Sequence, residues 1–327
     1  MKIRDKILQY FNDNQDVTIT SLVDYLLVSK QYVHRVLNDF LAEGIIIKLG
    51  SSPKTFYRLA PISNEKSVLN INISADKIRF LDKNFMVITE IGQLLTGLDA
   101  FENWCNKRAL PIEKTLDEYI TTLQKYHSYY NENQLISGID KLKSTKGYEK
   151  IYMKDLFYLD FYAIERFGKT RLGTILHYAK QGQNKMLMKI LIDEIKTVVY
   201  NLLEIYKIDA IVYVPPTIKR ETQLMKVLAN GLKINKPQID VQKIGGIIPV
   251  PQKSLNKLQE RIANADNTFV IKSNISYTNV LLIDDAVGSG STLNQIAKKI
   301  TDNKLATNIY GLAIVGSYKG FEVITDV

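Results

Sequence analysis

Residues 280–292 read Val-Leu-Leu-Ile-Asp-Asp-Ala-Val-Gly-Ser-Gly-Ser-Thr, and they constrain the fold more than any other stretch. The aliphatic run suits a strand buried on both faces of a parallel sheet. Asp284 and Asp285 fall at its end. A loop of small residues follows (Gly288, Ser289, Gly290, Ser291, Thr292), and a helical pattern starts near Leu293. A strand, a Gly/Ser/Thr loop and a helix N-terminus make an anion site, because backbone N–H groups, hydroxyls and the helix dipole converge there. The acid pair would repel a bare phosphate. It implies sugar hydroxyls or a divalent metal placed beside the phosphate.

From about residue 150 the pattern alternates strand and helix, which predicts a doubly wound parallel α/β sheet. Strands are expected at Phe157–Ile164, Ala210–Val214, Gln238–Val241, Asn279–Ile283 and Leu312–Val315. Helices are expected at Gly173–Gln183, Lys185–Tyr206 and Thr222–Leu232. A ligand of such a sheet binds outside the carboxyl ends of its strands, where Pro215, Asp284 and Asp285 fall.

The first sixty residues differ. Ile3, Ile7, Leu8 and Phe11 recur at helical spacing, and Thr20 or Ser21 offers a cap for a second helix through Leu22, Val23, Leu26 and Leu27. Ser29 offers a cap for a third, with Val33, Val36, Leu37, Phe40 and Leu41 inward. Gly44 to Leu59 reads as two short strands around a turn. Three helices and a hairpin resemble a winged helix-turn-helix. Lys30, Gln31, Tyr32, His34 and Arg35 are left outward on the third helix as a major-groove set. Lys48, Lys54 and Arg58 surround the wing, within reach of phosphates. A winged helix used for protein contacts remains the alternative, since the segment is only mildly basic.

The middle segment, 65–148, is expected as a small α+β domain. Its apolar alternation (Leu69/Ile71/Ile73, Ile78/Phe80, Met86/Ile88) suggests a meander, followed by helices at Leu98–Arg108, Ile112–Tyr130 and near Leu135–Leu142. Tyr119, Tyr126, Tyr129, Tyr130 and His127 suit either base stacking or simple packing.

Composition narrows the partners. The chain of 327 residues has 46% hydrophobic content and a formal net charge of +9, which fits a globular protein with an anionic partner. One cysteine, Cys105, excludes an internal disulfide framework and fits a reducing cytoplasm. No apolar run is long enough to span a membrane, and the amphipathic start does not read as a signal peptide.

The stretch 280–292 is similar to the phosphoribosyl pyrophosphate (PRPP) signature of type I phosphoribosyltransferases, with Gly288 and Ser289 where that family carries a Thr pair. Three more stretches resemble the ComF branch of that family. They are Gly173–Gly182, Val212–Arg220, and Pro251-Gln-Lys-Ser-Leu-Asn-Lys-Leu-Gln-Glu-Arg261 with Asn264 and Phe269 beyond. The Phe-Asn that the branch carries beside Gln223 is missing.

The resemblance implies PRPP or a ribosyl nucleotide as ligand, with the Gly288–Thr292 loop on its phosphate. Asp284 and Asp285 would take the ribose hydroxyls and Mg²⁺. Lys219, Arg220, Lys253 and Arg261 would neutralise pyrophosphate, with Lys253 on a closing lid. Layout adds three alternatives: an enzyme, a nucleotide-sensing DNA-binding regulator without catalysis, or a toxic effector. The last resembles accessory proteins of retron anti-phage systems, where a reverse transcriptase and its DNA–RNA product would be partners. A homo-oligomer fits any of the three.

Overall fold

The computed structural model describes residues 3–14, 16–43, 45–51, 54–60, 73–216, 218, 220–244 and 257–317, except the side chains of Ser51, Lys54, Leu258, Arg261, Ala265 and Asn267. Two compact units divide the chain, Met1–Asn72 and Ile73–Val327.

In the first unit, α1 (Ile3–Asp13), α2 (Ile19–Leu26) and α3 (Lys30–Ala42) precede a hairpin of β1 (Ile46–Ser51) and β2 (Lys54–Leu59). The hairpin pairs antiparallel from Ile46↔Leu59 to Ser51↔Lys54. Ile7, Phe11, Leu22, Val33, Leu37 and Phe40 form its core with Tyr57 of the hairpin. The cap of α2 is Thr18 rather than Thr20 or Ser21. Thr18 accepts from Ser21 N at 3.0 Å while Ser21 Oγ accepts from Thr18 N at 3.0 Å, a reciprocal capping box. Ser29 caps α3 as expected, accepting from Tyr32 N.

The second unit opens with α4 (Ala75–Asn84), a hairpin of β3 (Met86–Ile88) and β4 (Leu94–Thr96), α5 (Gly97–Asn106) and α6 (Ile112–His127). A short edge strand β5 (Ile136–Ser137) and α7 (Ile139–Ser144) come next. The expected meander is thus corrected: Ile78 and Phe80 lie on a helix. Ser74 caps α4, and Ile78 and Leu81 stand one turn apart, so the 3.6 period overrides a two-residue alternation too short to define a strand. Leu69 and Ile71 lie outside the described residues. The third middle helix starts at Ile139, because Ile136 and Ser137 join the sheet.

The remainder alternates. After β6 (Asp155–Phe161) come β7 (Ala163–Ile164), β8 (Gly168–Lys169), α8 (Arg171–Gln181), α9 (Lys185–Ile205) and β9 (Ala210–Tyr213). Then follow α10 (Leu224–Leu232), β10 (Asp240–Lys243), α11 (Leu258–Thr268), β11 (Phe269–Lys272), β12 (Tyr277–Val287), α12 (Ser291–Asp302) and β13 (Ala306–Gly316).

One mixed sheet has the order β5-β6-β13-β12-β9. The pairings from β6 through β13 and β12 to β9 are parallel, and β5 is an antiparallel edge. Alternate residues face opposite ways. Phe157, Ile211, Leu281, Ile283 and Leu312 pack with α8, α9 and α10, whereas Leu156, Val212, Val280 and Leu282 pack with α12. Helices therefore cover both faces of the sheet, as its continuous apolar strands require. The expected strand Gln238–Val241 divides: Gln238 bridges Ile211 of β9 in parallel, with Ile239 N donating to the Ile211 carbonyl at 3.0 Å, and from Asp240 the chain continues as β10, which pairs antiparallel with β11 in a separate ribbon. Its Asp240 and Gln242 are exposed and only Val241 is buried, a one-sided pattern unfit for an inner parallel strand.

The segment expected as a middle domain does not stand apart. Leu81, Phe101, Trp104, Leu116, Tyr119 and Tyr126 share one hydrophobic cluster with Leu156, Val212 and Leu282 of the sheet. Tyr119 and Tyr126 are thus core residues and take the packing alternative, not base stacking. Among the described residues no helix is long and apolar enough to cross a membrane.

Candidate phosphate and acid-pair site

β12 runs between β13 and β9, but its two neighbours end at different heights. On one side pairing continues to Val287↔Gly316, and on the other it stops at Ile283↔Tyr213. Val214 N still donates to the Ile283 carbonyl at 2.9 Å. Pro215 and Pro216 have no N–H to carry the ladder further. The carboxyl end of β12 therefore borders a notch, and Asp284 and Asp285 sit in its wall. The strand runs two residues past the acid pair, so the carboxylates lie within its last turn of pleat and not beyond it.

Asp285 is buried and pairs with Lys180 Nζ at 2.6 Å. Lys180 comes from the last turn of α8. Gly173 allows that helix to lie close, since a Cβ there would come 2.1 Å from the Tyr162 carbonyl oxygen. Asp284 accepts from Asp285 N at 2.8 Å. Burial, then the adjacent Asp285 carboxylate, push the Asp284 carboxyl above its ordinary range, and Lys180 opposes both. Two adjacent acids thus share one lysine. That leaves the pair short of positive charge and ready for hydroxyl donors or a cation.

The loop after the acids is packed rather than open. Ser289 and Ser291 are buried and their hydroxyls meet at 2.9 Å. Gly290, at φ +74°, is the N-cap of α12 and has no side chain to bond the first turn. The start of this helix therefore lacks the usual Ser, Thr or Asp cap, which an anion can replace. Thr292 is half-buried on that first turn. The Tyr148 hydroxyl donates to the Ser289 carbonyl at 2.6 Å, and buried Asn294 bonds Tyr152 N and the Lys150 carbonyl at 2.9 Å each. The 148–152 segment thereby braces the loop from outside.

The other expected residues spread out. Arg220 is half-buried and donates to the Lys180 carbonyl and to Gln181 Oε1 (2.9 Å), so it ties down the end of α8. Gln223 bonds back to the Ile218 and Arg220 carbonyls at 3.1 and 3.2 Å, closing the same loop on itself. Lys219, Lys253 and the Arg261 side chain lie outside the described residues, though Arg261 itself falls on α11. In the first unit Lys30, Gln31, His34 and Arg35 are exposed along α3, and the Arg35 guanidinium lies 5.0 Å over the Tyr32 ring. Lys48 is exposed; Arg58 is held by Asp16 at 2.7 Å. The Lys54 side chain lies outside the described residues.

Three contributors were not singled out from sequence: Lys180, Tyr148 and Asn294. Among the described residues no three His, Cys, Asp or Glu side chains gather as a metal cage. Two carboxylates suit Mg²⁺, which binds through one or two acids plus substrate phosphates and keeps its waters.

No protein-family model matches the sequence, and no curated protein matches it. Among solved structures, a crystal structure of an adenine phosphoribosyltransferase matches with 20% identity over 42% of this chain and 74% of that one, at a TM-score of 0.28. At that score the architecture rests on the strand order and register alone.

Proposed function

We propose that residues 150–327 form a phosphoribosyltransferase-like unit that binds PRPP or a ribosyl nucleotide with Mg²⁺ and acts on nucleotides. In this reading residues 1–60 are a winged helix that holds the unit to nucleic acid. The observation that carries the proposal is the continuity of β12, acid pair, buried Ser/Gly loop and uncapped α12 at a notch in the sheet.

The chemistry follows from that order. Backbone N–H groups at the start of α12 and the Ser289, Ser291 and Thr292 hydroxyls hold the ligand's phosphate. Asp284 and Asp285 accept hydrogen bonds from the two ribose hydroxyls, which fixes the ring. When the bond from the ring carbon to its leaving group breaks, the electron pair leaves with that group and positive charge grows on the ring. The acid pair stabilises that charge in a site of low dielectric. Asp284 and Asp285 would hold Mg²⁺, which would supply charge neutralisation for the departing oxygens. Lys253, where the family resemblance puts a lid lysine, serves the same leaving group.

Lys180 favours a second reading, a nucleotide-sensing regulator. An acid already matched by a lysine 2.6 Å away binds ligand by exchanging that partner, and binding of this kind needs no turnover. Product analysis separates the two readings when the protein and Mg²⁺ are given either PRPP with the free bases as acceptors or ribosyl nucleotides with water: pyrophosphate released from PRPP, or a base released from a nucleotide, selects the enzyme, and binding without product in both mixtures selects the sensor. For the first unit, Lys30→Ala with Arg35→Ala should weaken duplex DNA binding and reduce its salt slope by about two. Unchanged binding at low salt would make it a protein-contact module. A reverse transcriptase and its DNA–RNA product are the partners to test first, by co-purification.

A further inference from the structure

A second cavity lies on the other side of the same sheet end. It measures about 200 Å³ and is bounded by α6, α9, the end of β6 and the start of α8. None of its walls belongs to the 284–292 segment. Strand order puts β6 two strands from β12, about 10 Å at the usual spacing.

Its floor is Asp160. This carboxylate is only half-buried by surface area although protein packs around it, so the surface it shows belongs to the cavity wall. Two neutral donors, the Tyr130 hydroxyl at 2.8 Å and Phe161 N at 2.7 Å, both land on Oδ1. The Thr170 hydroxyl also lies near Asp160, but its single proton is engaged by the Phe161 carbonyl at 2.7 Å. Among the described residues no cation pairs with Asp160. The one guanidinium in the wall, Arg171, is bound to Glu194 through Nε (3.0 Å) and Nη2 (2.8 Å). Exposed Lys83 and His127 stand at the mouth. Burial, with Glu194 adding to it, pushes the Asp160 carboxyl up to about 6.

A buried carboxylate without a counter-ion is costly. Walls that pair it with tyrosines and aliphatic side chains describe a pocket for a cation with an apolar body. We propose that this cavity is a second binding site, for a small organic cation of the amine or amidinium class whose nitrogen donates to Asp160. Its body would lie along Tyr119, Tyr126 and the aliphatic wall of α9. The site is independent of the acid pair and of the nucleotide reading.

The test uses the full chain and two pairs of probes: benzamidine against benzamide, and benzylamine against benzyl alcohol. Calorimetry and thermal shift should show millimolar or tighter binding of both cations and about ten-fold weaker binding of the neutral partners. Asp160→Asn should remove that preference, and the double variant Asp284→Asn/Asp285→Asn should keep it. The comparison within wild type needs no variant to fold. Equal binding of cation and neutral probe would overturn the proposal. So would no binding at millimolar concentration, which would leave a pocket of about six waters. Loss of binding in the double variant would place the cation at the acid pair and overturn it too.

Discussion

Two carboxylate sites lie at one height on a single sheet and are solved in opposite ways. Val315 of β13 has Ala286, next to the acid pair, as its register partner on one side and Asp160 on the other. Asp285 is balanced by a charge: Lys180, carried in on the end of α8 and fixed by Arg220. Asp160 is balanced by neutral donors, with another carboxylate nearby. A carboxylate with its own lysine exchanges partners when hydroxyls or a metal arrive. One held by neutral donors carries an unmatched charge or a proton, and rewards a ligand that brings positive charge. Surroundings, not residue type, separate the two sites: the acid pair near the end of β12 has a lysine beside it, and Asp160 near the end of β6 has neutral donors.

The largest effect is expected at the acid pair. Asp284→Asn with Asp285→Asn keeps shape but removes two charged acceptors, each worth about 1.5–3 kcal/mol to a hydroxyl donor. PRPP binding should weaken by about a thousand-fold. Retained binding would reduce the pair to structural acids.

Asp160 gives the next largest change, and it appears as a pH dependence. Its carboxyl titrates near 6 in the fold against an ordinary 3.8, so between those values the folded state keeps a proton that the unfolded chain releases. Stability from this group is fully present below about pH 4 and is lost as pH rises through about 6, by up to about 3 kcal/mol. Arg171, Glu194, His127 and Lys83 border the same cavity, so the informative quantity is the difference between wild type and Asp160→Asn. Urea unfolding across this range should show the slope flattened in the variant. Identical slopes would mean that Asp160 is solvated through the mouth of the cavity.

Lys180→Met should leave Asp285 without its cation, at a cost of about 2 kcal/mol for a pair that keeps some exposure. Adding Asp285→Asn should recover part of that loss in a double-mutant cycle, and strict additivity would deny the coupling. The smallest effect belongs to the brace. Tyr148→Phe removes one hydrogen bond to the Ser289 carbonyl and should cost about 1 kcal/mol, with PRPP affinity reduced less than in the acid variants.

The acid-pair site was more legible in sequence than the cavity, for a physical reason. Strand, acids, loop and helix start follow one another along thirteen residues, so local spacing alone assembles them. Lys180 sits within a run already noticed, yet its partner is about a hundred residues away, and only the approach of α8 at Gly173 joins them. Tyr148 and Asn294 act across a similar distance, from a segment that looked like a boundary. Asp160 reads as one residue of a strand; its setting on neutral donors in a cavity wall exists only once α6 and α9 close over β6. The middle helices hid their role because apolar residues at 3.6 spacing look the same whether they bury against each other or against a sheet. Ile78 and Phe80 show the limit at shorter range, where two apolar residues fit either period.

The β12–α12 notch is proposed as a phosphoribosyl site. Calorimetric titration of the purified chain with PRPP and Mg²⁺, followed by product analysis, tests it directly. Mg²⁺-dependent binding that disappears in the Asp284→Asn/Asp285→Asn variant is the expected result. Absence of binding in wild type, or equal binding in the variant, would contradict it.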